Sequence, residues 1–106
     1  MLQRHLERAE RALTALAGNQ ALCAIARTGQ SFPAAKFHEG AVSALAQVRR
    51  ARRRADPASV AVLAATVAAG WREQAGRMIG AGPDWQAHLA GGAEAVEALL
   101  AELTDE

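Results

Sequence analysis

The chain has no tyrosine, two phenylalanines, two tryptophans and a single cysteine among its 106 residues. One cysteine, Cys23, excludes an intramolecular disulfide. It sits among apolar neighbours with no nearby histidine, which reads as a small buried residue and not as a nucleophile. With so few aromatics, a basic patch cannot be interleaved with rings that stack on bases. Strands are unsupported, because the sequence contains no alternating run and no β-branched cluster flanked by turns. A run of about 20 apolar residues is also missing, so a membrane-spanning helix is not expected. Met1 to Arg11 is too charged for a signal peptide, and a reducing cytoplasm is the expected location. Gly80-Ala81-Gly82 lacks both the preceding strand and the following lysine of a phosphate loop.

What is present is alanine, at 28 positions, within an apolar fraction of 51%. Such a core favours close helix approach over bulky filling. It also limits the stability of a monomer and makes sharing apolar surface with another chain attractive. The length fits one domain, residues 1–106. Arginine far outnumbers lysine, which occurs once, at Lys36. Together with the alanine content, that points to a GC-rich, bacterial genome.

A stretch of fifteen uncharged residues lies between Asp56 and Arg72. Asp56 is placed to cap a helix, Pro57 to open it, and Gly80 to close it. Val60, Leu63, Val67, Trp71 and Met78 recur at helical spacing, with alanines around most of the remaining circumference. A helix apolar nearly all round is expected at the centre of a bundle or at an oligomer interface. Leu2, Leu6, Ala9, Leu13 and Leu16 form the seam of a first helix, which runs on to Gly29 or breaks at Gly18. Pro33 to Ala55 is a second, with the stripe Phe37, Ala41, Leu45, Val48 and Gly40 inside it. The last helix follows Pro83, with seam residues Trp85, Leu89, Val96, Leu99 and Leu103, and a potential break at Gly91-Gly92. Trp71 and Trp85 are expected as core anchors. The expected fold is an all-α antiparallel bundle of four helices, or three, with the third helix central.

Three features carry functional candidates. Arg49, Arg50, Arg53 and Arg54 spread over the outer face of the second helix, while Arg52 falls on its apolar stripe. They could contact phosphates or a partner's acids. Equally, they could complement the helix dipole or be screened by Glu102, Asp105 and Glu106. Ala61, Ala65 and Ala69, with Trp71, could form an oligomer interface, a two-fold dimer in the simplest case, or an internal packing seam. His38, Glu39, Asp84 and His88 come to one end of an antiparallel bundle, but none of the stronger metal spacings is present. No metal site, catalytic residue or cofactor is therefore assigned.

The charge is segregated. Residues 30–55 carry net +5 and residues 81–106 net −6, within a total of +1. The Trp-x-Gly turn of small helical secretion-substrate hairpins is absent, since Arg72-Glu73 follows Trp71. The expectation is a small non-enzymatic protein that self-associates and docks a protein partner through helix surfaces. The charge split would set orientation and partner choice. The alternative is a nucleic-acid-binding accessory protein using the arginine cluster.

Overall fold

The computed structural model describes residues 1–17, 33–54 and 59–104. Cys23, the Gly18 and Gly29 junctions, Asp56-Pro57 and the last two residues lie outside the described set. Four helices are present: α1 (Leu2–Ala17), α2 (Pro33–Arg54), α3 (Val60–Arg77) and α4 (Pro83–Thr104). No strand occurs among the described residues. No helix among them is long and apolar enough to cross a membrane.

Consecutive helices run up and down, so α2 and α4 point the same way. Lys36 and Glu39 near the start of α2 face one cavity together with Trp85 and His88 near the start of α4. At the opposite end, His5 of α1 meets Glu102 of α4. The α3–α4 pair is antiparallel: the Gln86 side chain donates to the Ile79 carbonyl next to the connecting turn, and Arg72 bonds Glu97 farther along.

The core joins all four helices. Leu2, Leu6 and Ala9 of α1 meet Leu45 and Val48 of α2, Ala64, Val67 and Ala68 of α3, and Val96 and Leu99 of α4. Leu6, Leu45, Val48, Val96 and Leu99 are almost completely buried. Each such side chain withdrawn from water stabilises the fold by roughly 1.5–3 kcal/mol before entropy is counted.

The deepest packing is between α2 and α4, and glycine makes it possible. A Cβ on Gly40 would collide with the His88 carbonyl and lie 3.1 Å from the Gly92 nitrogen. A Cβ on Gly91 would lie 2.9 Å from the Phe37 Cα. Here backbone meets backbone, and Gly40 serves the close crossing. Gly92 is filled from the other side by the Trp71 ring, 2.7 Å from where its Cβ would stand. Gly91-Gly92 therefore does not split the last helix, which is continuous because both glycines are buried against neighbours.

The structure refines the place of α3. It packs with α2 and α4, but through one face. Ala64, Val67 and Ala68 are buried, whereas Val62, Ala65, Thr66, Ala69 and Gly70 face solvent. Its start is also different from the expectation. The helix begins at Val60, and its cap is Ser59, whose hydroxyl accepts from the Val62 N–H at 3.2 Å. A serine at this position satisfies one orphan donor of the first turn as well as an aspartate would. The helix ends at Arg77, and Gly82, at φ 103°, carries the chain into α4 through the left-handed region.

Candidate functional site

The exposed face of α3 starts where the helix does. For its first three turns this face holds Val62, Ala65, Thr66, Ala69 and Gly70 and no charge. Val62 is 60% exposed. At 1.5 Å per residue, the neutral strip from Val62 to Gly70 is about 12 Å long. Shallow hollows flank it. One of about 300 Å³ lies between Gln47, Thr66, Gly70 and Trp71, and another of about 390 Å³ lies over Gly70, Glu73 and Met78. Arg72, Glu73 and Arg77 begin the charged part of the helix, with Glu73 and Arg77 paired at 2.9 Å.

The alanine ladder follows this geometry only in part. Ala61 is half-buried at the edge, and Ala65 and Ala69 are exposed. The ladder drifts across the helix surface because a spacing of four overshoots one helical turn. Ala65 and Ala69 therefore do not form an internal seam. Trp71 points elsewhere, toward the interior. Its ring packs on Gly92, lies 5.4 Å from the His88 ring, and donates Nε1–H to Gln47 at 2.9 Å.

The arginine run ends α2. Arg50, Arg52, Arg53 and Arg54 are exposed and Arg49 is half-buried. None of the ion pairs among the described residues involves any of the five. Arg49 Nε is buried without a hydrogen-bond partner among those residues. Glu102 is at the same end of the bundle, but it is engaged by His5 Nε2, 3.0 Å away, in a close approach rather than an aligned hydrogen bond. That contact, with help from the charges of Arg4 and Arg8, holds the Glu102 carboxyl below its ordinary value against the opposing effect of burial. Thus Glu102 pairs with α1 and leaves the arginines alone. Asp105 and Glu106 lie outside the described residues.

At the other end, Glu39, Asp84 and His88 do line one cavity, with Lys36, Pro83 and Trp85. His38 does not line it; its ring stands edge-on to Phe37 at 5.7 Å. Among the described residues, no group of three or more His, Cys, Asp or Glu side chains is placed to hold a metal ion. Trp85 is not a core anchor. It is 51% exposed, in the first turn of α4. The sequence pattern places Glu39, Asp84 and His88 at this end but shows no cavity there, because it puts Trp85 in the core.

No protein-family model matches the chain, and no curated protein or solved structure is significantly similar to it.

Proposed function

We propose that this is a small non-enzymatic helical protein that self-associates through α3, with Ala65 and Ala69 at the contact. The observation that carries the reading is the uncharged, solvent-facing strip from Val62 to Gly70. Small side chains let a second helix approach closely, and burying the strip costs no desolvated charge. A two-fold axis across the strip would set α3 against its own copy. The strip is short compared with the roughly 800 Å² per partner of a stable interface, so the assembly is reversible and concentration-dependent. The arginine end remains free in such a dimer and docks an acidic protein partner.

The test is absolute molar mass by light scattering during size-exclusion chromatography, over a concentration series at low and high salt. A mass rising toward the dimer in both salts, and its loss in the double variant Ala65→Glu, Ala69→Glu, is the expected result. A monomer at every concentration removes the proposal.

A second reading is favoured by the arginines that lack an ion-pair partner among the described residues. The cluster Arg49, Arg50, Arg53 and Arg54 then serves as a phosphate-binding surface for nucleic acid, blind to sequence and steeply weakened by salt. Retarded migration of duplex or single-stranded nucleic acid at low salt, abolished when all four are made Glu, is its signature. Unaltered migration removes it.

A further inference from the structure

The close crossing of α2 and α4 leaves an open cavity beside it. Gly40 packs on the His88 carbonyl, and Lys36 and Trp85 stand one turn before that contact on their own helices. There the two helix starts and the turn before α4 bound about 450 Å³, a volume within the range of small-molecule sites. The turn is held in place by its own hydrogen bonds. The Ala81 N–H donates to the Met78 carbonyl at 3.0 Å, the Gln86 N–H to the Gly82 carbonyl at 3.0 Å, and the Gln86 side chain to the Ile79 carbonyl. A wall formed in advance lowers the ordering cost of binding.

The apolar part of the lining is Trp85 with Pro83 and Ala81. The indole meets the His88 ring edge-on at 5.7 Å, and half of the side chain remains in solvent. An indole left open in this way can pack a second ring, offset or edge-on. The charged groups of the lining are already engaged. Lys36 Nζ lies 3.3 Å from Glu39 Oε2, and Asp84 has an interaction of its own. A cation therefore finds no unengaged carboxylate there. An anion finds no cradle at the α4 start, because Pro83 has no N–H and Asp84 places a negative charge in the first turn. A ligand of either sign would bring its charge out of water with no partner waiting, and a neutral one bears no such cost. We infer that this cavity binds a neutral, flat aromatic molecule of one or two rings, packed on the open part of the Trp85 indole. The Lys36–Glu39 pair sets the preference, because each member occupies the other. The site shares no residue with the α3 strip or the arginine run and goes beyond the functions proposed for them.

One ring system carrying three charges tests this: naphthalenemethanol, naphthylmethylamine and naphthoate, titrated against the full chain and followed by two-dimensional amide NMR. The expected result is saturable shifts confined to residues 36–39 and 81–88, with the alcohol tightest and both ions about fivefold weaker. Trp85→Ala, at an exposed position, should weaken the alcohol about fivefold. Lys36→Met leaves Glu39 without its partner and should move the preference to the amine. Glu39→Gln releases Lys36 and should move it to the naphthoate. Both side chains are nearly half exposed, and a folding defect would not shift preference in opposite directions. Binding should be the same in the Ala65→Glu, Ala69→Glu variant, so failure here and failure of self-association are read separately. No saturation by the alcohol, either ion binding as tightly as the alcohol, or undiminished binding in Trp85→Ala overturns the inference.

Discussion

Glu97 accepts two hydrogen bonds from Arg72, from Nε at 2.8 Å and from Nη2 at 2.6 Å. This two-pronged pair ties α3 to α4 on the outside of the bundle, where both side chains are nearly half exposed. The hydrogen bonds from Arg72 hold the Glu97 carboxyl below its ordinary value, against the opposing effect of burial. The same bonds raise the Arg72 guanidinium.

A pH dependence follows from that pair. A carboxyl with a lowered folded pKa stabilises the fold above its unfolded value of 4.5 and loses that contribution as pH falls through the folded value. Solvent screening keeps the gain to about 0.5–1 kcal/mol. Glu97→Gln should therefore cost that much at neutral pH and nothing in acid. Urea unfolding of both proteins across the acid range checks it, and a constant difference at every pH would sink the assignment.

Glycine replacement should split the chain into two classes. At Gly40 and Gly91 an added methyl meets the backbone of the facing helix, and backbone cannot give way. Ala at either position should cost at least about 3 kcal/mol or prevent folding. Gly76 has nothing within 4 Å of its would-be Cβ, and Gly76→Ala should stabilise by about 0.5–1 kcal/mol. Thermal unfolding of the three variants decides between these directions.

The tryptophans should differ just as clearly. Trp71→Ala opens a cavity over Gly92 and leaves the Gln47 amide without its donor, at a cost of about 3–5 kcal/mol. Trp85→Ala should cost less than about 1 kcal/mol. In fluorescence, Trp85 viewed alone in Trp71→Phe should be readily quenched by acrylamide, and Trp71, half-buried, viewed alone in Trp85→Phe should be quenched less. Equal quenching would contradict the packing described here.

Ser59→Ala removes the hydroxyl that caps α3 at the Val62 N–H. The expected loss is about 1 kcal/mol, recovered by Ser59→Asp. Amide exchange would report it locally, as faster exchange in the first turn of α3 with α2 and α4 unchanged.

Much of the bundle was legible in the sequence because regular spacing survives folding. Leu2, Leu6 and Ala9 are buried together as their spacing implied, and so are Ala41, Leu45 and Val48. The reading failed where side chains are small. An alanine contributes little on either side of a helix, so the uncharged run suggested burial all round when Ala65 and Ala69 stand in solvent. Gly40 and Gly91 register as gaps in a hydrophobic pattern, although they mark a backbone-to-backbone contact between α2 and α4.

The candidate surfaces divide in the same way. The arginine run is visible in any reading of the chain, but the partner of Glu102 depends on how α1 and α4 are aligned, and His5 carries no mark of that role. Antiparallel topology correctly brought Glu39, Asp84 and His88 to one end. That Trp85 would be left outside the core to form a wall there depends on where the neighbouring helices stop. Spacing along one helix does not contain that information.

The glycine crossing also bears on how this chain can drift. Alanine stands at 28 of the 106 positions, and exchange among small exposed residues costs little stability. Gly40 and Gly91 cannot join that exchange, because the opposite main chain occupies the space a side chain would need. Two glycines on the closely packed α2–α4 pair, one facing the carbonyl of a histidine and the other that of a phenylalanine, are then the most durable signature of this architecture. A search for relatives guided by that pair would outlast one guided by overall resemblance.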